Sequence, residues 1–103
     1  MKPIIIISTY PNKKSITKIA RDLVQNNIVA CVNITKISST YSWQGKIENA
    51  SEYLALFKTT QKNKKSLKEK IKATHPYEIP EIAEINIASI NKSYLKWIVE
   101  STS

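Results

Sequence analysis

The segment THPYEIPE, residues 74–81, gathers more reactive side chains than any other short stretch of the chain. It holds the only histidine, His75, together with Tyr77, Glu78 and Glu81, around two prolines, Pro76 and Pro80. An imidazole near carboxylates can bind a metal ion or exchange protons close to neutral pH. The structural alternative is a connector in which the prolines end a helix and lead into a strand. Residue types alone favour the connector, since a site needs further groups from elsewhere.

Cys31 is the second candidate for chemistry. It is the only cysteine, so no internal disulfide can form, and a lone cysteine in a strand is most often a small buried hydrophobe. A thiolate, an imidazole and a carboxylate would suit copper or zinc. However, no CxxC, HxxxH or HExxH spacing exists, and one Cys and one His cannot close a structural zinc site within a subunit. Any metal site must therefore be weak, open or shared between subunits.

Motifs for other chemistries are absent. The chain has no GxSxG, P-loop or GxGxxG pattern, and a single glycine, Gly45, cannot build a phosphate cradle. No third group is positioned by sequence to orient His75 for nucleophilic catalysis by Cys31. We therefore expect a protein that is not an enzyme.

The formal charge of +8 suggests nucleic acid as one partner, but other features argue against it. Arg21 is the only arginine, and SEYLALFK lacks the aromatic and glycine pattern of RNA-binding strands. We interpret the lysines as a solvated face. The apolar run Ile4–Ile7 is too short for a secretory core or a membrane span, which indicates a soluble, cytoplasmic protein with one domain over residues 1–103.

Hydrophobic periodicity predicts an α+β fold. The order β-α-β-β-α-β is the ferredoxin-like arrangement, an antiparallel sheet with helices on one face, here followed by a C-terminal helix. We expect the first strand to be buried on both faces, the first helix to be capped by Asn12 or Ser15, and a bulge near Thr35-Lys36. The predicted elements are strands at 4–7, 28–43, 52–59 and 81–88 and helices at 15–25, 60–74 and 91–101.

The second and third strands predict a hairpin that is too long for a compact monomer. A strand over residues 28–43 would span roughly 50 Å at about 3.3 Å per residue, against a usual length of about 17–20 Å. The hairpin should therefore project beyond its own domain. Tyr41 and Trp43 would be exposed near its tip unless a partner covers them, and the simplest partner is another copy of the chain.

Several short stretches together resemble the CutA family of divalent-cation tolerance proteins, in matching order from about Ile5 to Ile98. The most specific are Ala30-Cys31-Val32-Asn33, Tyr41-x-Trp43-x-Gly45-Lys46, Lys58-Thr59 and His75-Pro76-Tyr77-Glu78-x-Pro80-Glu81. Family members commonly carry Pro-Gly where Thr35-Lys36 stand here, which should make this strand more continuous.

This resemblance implies a homotrimer in which long hairpins pair across subunits, an architecture similar to that of the PII signalling proteins. It also implies tolerance to divalent cations and binding of copper. Carried over to this sequence, Cys31 and His75 become the metal contacts, with Glu78 as a supporting carboxylate. The cleft between subunits would be lined by Asn33, Tyr41, Trp43, Lys46, Lys58, Tyr77 and Glu81.

Three functional hypotheses follow. The first is a trimeric protein that binds copper or a similar divalent ion in the response to metal ions. The second is a PII-like sensor, in which Lys46 and Lys58 hold a small anionic ligand and Trp43 or Tyr77 stacks on it. The third is a platform that binds a protein partner through the aromatic tip of the hairpin.

Overall fold

The computed structural model describes residues 1–103 and confirms the predicted order of elements. Four strands and three helices alternate as β-α-β-β-α-β-α, and a 3₁₀ turn, Gln61–Asn63, precedes the second helix. The elements are β1 (Pro3–Tyr10), α1 (Lys13–Gln25), β2 (Cys31–Trp43), β3 (Lys46–Thr60), α2 (Lys64–Thr74), β4 (Ala83–Asn86) and α3 (Lys92–Ser101).

The strands form one antiparallel sheet in the order β2-β3-β1-β4. Side chains alternate across a strand, so each strand contributes to two faces. We call the face that α1 and α2 cover the near face and the opposite one the far face. The prediction that β1 is buried on both sides is wrong, because Ile4 and Ile6 on the near face are fully buried whereas Ile5 and Ile7 on the far face are only half-buried.

The core lies between the near face and the two helices. Phe57 at the centre of β3 is fully buried, and it pairs with Ile6 of β1 on one side and with Val32 of β2 on the other. Leu67 and Ile71 of α2, one helical turn apart, close the layer from above and are also fully buried. This single layer of apolar side chains fixes the strands relative to one another, and so fixes the positions of the candidate site residues.

Strand β2 begins later than predicted. Asn27 ends α1 with a left-handed backbone, φ 58°, as expected for asparagine after a helix. The amides of Ile28 and Val29 then donate to the carbonyl of Leu23, so these residues belong to the helix end and not to the strand. The predicted bulge near Thr35 is absent, since β2 pairs with β3 without interruption from Cys31 to Trp43.

The long hairpin is confirmed. Strand β1 stops at Tyr10, opposite Tyr53, and the next seven pairs of β2 and β3 have no further strand beside them. Seven residues of strand extend about 23 Å, and the molecule is correspondingly elongated, 45 × 26 × 22 Å. The outer hairpin leaves Tyr41, Trp43 and Ile47 exposed. We call this two-stranded extension, residues 37–52, the arm.

The arm closes in a two-residue turn that explains the only glycine. Both turn residues have positive φ, 50° at Gln44 and 78° at Gly45, which matches the twist of a tight hairpin. A side chain at Gly45 would meet no neighbouring atom within 4 Å, so only the backbone conformation opposes one. Gly45→Ala should therefore lower the free energy of unfolding by about 1–2 kcal/mol. Urea denaturation checks this, and Gln44→Asn, which suits positive φ, should not destabilise the protein.

The helices largely follow their sequence patterns. Asn12 caps α1 by accepting a hydrogen bond from the Ser15 amide at 2.9 Å. Ile16 and Leu23 of α1 are buried, whereas Val24 at the helix end is 42% exposed.

Helix α2 ends at Thr74 as predicted. Pro76 disfavours helical geometry at the preceding residue, and His75 is extended with ψ 135°. Strand β4 is shorter than predicted, Ala83–Asn86, so the segment 75–82 remains free to cover the edge of β1 beyond Ile7. This arrangement carries the THPYEIPE segment to the base of the arm.

Helix α3 contacts the far face. Lys58 alternates away from the core-facing Phe57, and its Nζ donates to the Tyr94 hydroxyl at 3.3 Å and lies 5.5 Å from the centre of that ring. Asn91 stands at the N-cap position, but its side chain bonds to the Ser93 hydroxyl and not to a backbone amide.

Candidate functional site

His75 is bonded through both ring nitrogens. Its Nε2 lies 2.9 Å from the Thr9 carbonyl oxygen and 3.1 Å from the Ser8 hydroxyl, and its Nδ1 accepts the Tyr77 amide at 3.0 Å. Since Nδ1 accepts, Nε2 carries the proton and donates to Thr9. The ring also stacks on Tyr10 with centroids 4.2 Å apart. His75 therefore anchors its segment to β1, and binding a metal would require it to give up one of these bonds.

Burial lowers the pKa of His75 from its ordinary value of 6.5, against the opposing effects of the Thr9 carbonyl and of Glu52. The folded protein then binds fewer protons at this site than the unfolded chain does, so stability is greatest above pH 6.5 and falls as the pH decreases through the lowered pKa. We expect the unfolding free energy to fall between pH 7.5 and pH 5.5, and to fall less in His75→Gln. Urea denaturation at both pH values checks this, and an equal pH dependence in both proteins would contradict it.

Tyr77 links the segment to the base of the arm. Its hydroxyl donates to Oε2 of Glu52 at 2.7 Å, and Glu52 is 9% exposed. Burial raises the pKa of Tyr77, and the hydrogen bond to Glu52 and its negative charge raise it further. The phenol therefore stays protonated and keeps Glu52 as a buried carboxylate acceptor.

A cavity of about 400 Å³ opens beside this pair, between the arm and the segment that follows His75. Three of its lining residues are carboxylates, Glu52, Glu78 and Glu81, and no lysine, arginine or histidine lines it. The other lining residues are Thr9, Tyr41, Trp43, Tyr77 and Ile79. We call this cavity the carboxylate pocket. Its charge is opposite in sign to that of the whole chain, so it suits a cationic ligand.

The structure does not bring Cys31 and His75 together in one chain. Cys31 pairs with Lys58, which in turn pairs with Ile5, so Cys31 belongs to the far face. His75 stacks on Tyr10, a member of the near-face core. No group of three or more His, Cys, Asp and Glu side chains is placed to hold a metal ion within the chain. Of the predicted metal set, only Glu78 lines the carboxylate pocket.

The predicted cleft residues divide into two groups. Four of them line the carboxylate pocket, and they are Tyr41, Trp43, Tyr77 and Glu81. The other three lie elsewhere: Lys46 at the tip of the arm, Lys58 against Tyr94, and Asn33 on β2, where its Oδ1 lies 3.8 Å from the Cys31 sulfur. Lys58 therefore does not meet the aromatic rings proposed to stack on an anion, whereas Lys46 pairs with Trp43 across the hairpin but does not line the carboxylate pocket.

Sequence reasoning missed Thr9, Glu52 and Ile79 as pocket residues. The residue type of Glu52 gave no indication, because it appeared as a polar residue at the start of a buried strand. The register of β3 with β1 would have indicated it. Glu52 is the first β3 residue past the end of β1 at Tyr10, where the far face has room for the Tyr77 side chain.

The chain is thus a ferredoxin-like domain whose sheet extends into a projecting arm, with a carboxylate pocket at the base of that arm. The sequence profile of the CutA1 divalent ion tolerance protein family matches residues 4–101. The divalent-cation tolerance protein CutA of Pyrococcus horikoshii is 38% identical over 99 residues, covering 96% of this chain and 97% of the relative. The chain therefore belongs to the CutA1 divalent ion tolerance protein family.

Solved structures agree with this assignment. CutA from Xylella fastidiosa superimposes with a TM-score of 0.95 at 35% identity and full coverage of both chains. The periplasmic divalent cation tolerance protein CutA from Archaeoglobus fulgidus superimposes with a TM-score of 0.94 at 35% identity, covering 98% of this chain and 99% of that one. The α+β fold class expected from the sequence is thereby confirmed, and no helix of this chain is long and apolar enough to cross a membrane.

Proposed function

We propose that this protein binds a divalent cation and contributes to tolerance of such ions, acting as a binding protein and not as an enzyme. The observation that carries the proposal is the carboxylate pocket, which Glu52, Glu78 and Glu81 line without a basic neighbour in a chain of charge +8. Within a single chain these three carboxylates are not grouped closely enough to hold one ion together. Carboxylate oxygens are ligands for divalent ions. The names of the relatives support the same role.

We also propose that the working form is a homotrimer, as the family resemblance implies. Two surfaces of the single chain support an assembly. The exposed arm carries Tyr41, Trp43 and Ile47, and the far face leaves Ile85 45% exposed beside the half-buried Ile5. Apolar surface of this kind is stabilised when a second copy covers it.

Copper is the ion to test first. Copper contacts from both Cys31 and His75 require a site that is shared between subunits. Because the two side chains lie on opposite faces, they can meet at one ion only if different subunits supply them. A thiolate and an imidazole favour copper or zinc, whereas carboxylates alone favour harder ions such as Mg²⁺ or Mn²⁺.

A copper titration followed by calorimetry separates these arrangements, using the double variant Cys31→Ser, His75→Ala. A shared site predicts that the variant loses stoichiometric copper binding. Binding through the carboxylate pocket alone predicts that the variant still binds copper. If the unaltered protein takes up no divalent ion at all, the proposed function is wrong.

The PII-like sensor is the alternative that the geometry supports less. An anionic ligand would meet three carboxylates in the carboxylate pocket, and neither Lys46 nor Lys58 lines it. A screen of anionic metabolites by thermal shift tests it directly, and a specific stabilisation by one of them would favour the sensor.

For the location of the protein we propose the cytoplasm, on the sequence pattern alone.

A further inference from the structure

The net charge of this chain is confined to one layer of the fold. The segments 13–25 and 61–74, which form α1, the 3₁₀ turn and α2, carry ten of the 16 basic residues but only two of the eight acidic ones, Asp22 and Glu69. The remainder of the chain carries six basic and six acidic residues and is neutral. The entire formal charge of +8 therefore lies on the helical layer that covers the near face.

Most of these cations are free of ion pairs. Lys64 and Lys68 are the exceptions, because both bind Glu84 of β4, at 3.6 and 2.8 Å. The other eight are exposed and form no salt bridge. We call these eight the basic helical face: Lys13, Lys14, Lys18, Arg21, Lys62, Lys65, Lys70 and Lys72.

The spacing of the cations directs them away from the core. Lys14, Lys18 and Arg21 recur at i, i+4 and i+7, the spacing of one helical stripe, while the buried residues of α1 occupy the opposite side. A general excess of lysine would spread over all surfaces of the protein. Confinement to two adjacent helices instead creates one surface of positive potential that attracts a polyanion.

We propose that the basic helical face binds the phosphate backbone of a nucleic acid duplex without reading its sequence. Helix α1 is about 20 Å long, and a duplex presents one phosphate charge per about 1.7 Å, so roughly a dozen phosphates lie within its reach. Lysines act as point charges on phosphate, whereas base reading relies on arginine and on amide side chains. The absence of base-reading motifs, which argued against nucleic acid in the sequence, does not oppose a contact with the backbone alone.

An anionic membrane is the competing polyanion, and the composition of the surface disfavours it. Interfacial helices insert aromatic or large aliphatic side chains between lipids. The segments 13–25 and 61–74 contain no aromatic residue, and Val24 is their only exposed large hydrophobic side chain. The face offers charge without an apolar group to insert.

Fluorescence anisotropy with labelled, mixed-sequence DNA and RNA duplexes of about 30 base pairs tests the proposal. For about four phosphate contacts, the association constant should fall about 100-fold between 50 and 200 mM salt. The triple variant Lys14→Glu, Lys18→Glu, Arg21→Glu should bind at least about tenfold more weakly at 50 mM salt. These residues are exposed, so circular dichroism should show an unchanged fold.

A charge-matched control keeps the proposal falsifiable. The variant Lys2→Glu, Lys36→Glu, Lys92→Glu also changes the formal charge from +8 to +2, but these lysines lie outside the basic helical face. It should retain the larger part of duplex binding. Equal losses in both variants, no duplex binding at 50 mM salt, or binding to phosphatidylserine vesicles in preference to both duplexes would each overturn the proposal.

Discussion

Replacing Glu52, Glu78 and Glu81 together by glutamine is expected to weaken divalent cation binding by about 100-fold or more, since loss of even one supporting group around a metal typically costs 10–100-fold. Glutamine keeps the shape of each side chain and removes only its charge. The pocket that these residues line contains no other charged group. Isothermal calorimetry with copper and with manganese measures the change.

The control for this variant removes carboxylates of the same type from another surface. Glu48 on the arm and Glu100 on α3 are exposed, and neither lines the carboxylate pocket. Glu48→Gln, Glu100→Gln should bind divalent ions as the unaltered protein does. Equal affinity in the triple variant and the unaltered protein would show that the pocket does not hold the ion.

The second large effect concerns stability. Phe57→Ala is expected to lower the free energy of unfolding by about 3–5 kcal/mol, because it leaves a cavity in a core that cannot collapse around it. Phe57 is fully buried at the centre of the sheet, with β1 and β2 paired on either side, and Tyr10 lies edge-on at 6.5 Å between ring centroids. In a protein of this size such a loss lowers the melting temperature by well over about 10 °C.

Thermal and urea denaturation at a fixed protein concentration measure this loss, since oligomerisation makes stability depend on concentration. Val24→Ala serves as the control. Val24 is 42% exposed at the end of α1, so its truncation should change stability by less than about 0.5 kcal/mol. A loss below about 1 kcal/mol in Phe57→Ala would contradict the assignment of the core.

Periodicity made most of the fold predictable, and local chemistry fixed the element ends. The i, i+3, i+4 pattern located α1, Pro76 fixed the end of α2, and Gly45 fixed the turn of the hairpin. The predicted start of β2 was wrong because Ile28 and Val29 are β-branched, as many residues of the strand are. Only the hydrogen bonds from Ile28 and Val29 back to Leu23 assign these two residues to the end of the helix, whereas the Ala30 amide already donates to the Lys58 carbonyl of β3.

The candidate site was only partly predictable, since sequence reveals residue types but not the face on which each lies. Of the THPYEIPE segment, Tyr77, Glu78 and Glu81 line the carboxylate pocket. Pairing Cys31 with His75 ignored the sheet between them, and Glu52 was found only through the register of β3 with β1. Strand register depends on contacts distant in sequence, and residue spacing does not encode it.

Native mass spectrometry, with and without one equivalent of Cu²⁺ per chain, tests most directly the claim that this protein is a trimer that takes up divalent cations. We predict a trimer whose mass increases by a stoichiometric amount of copper. A monomer would contradict the assembly proposed from the exposed arm and the far face. A trimer that stays free of metal would contradict the proposed cation site.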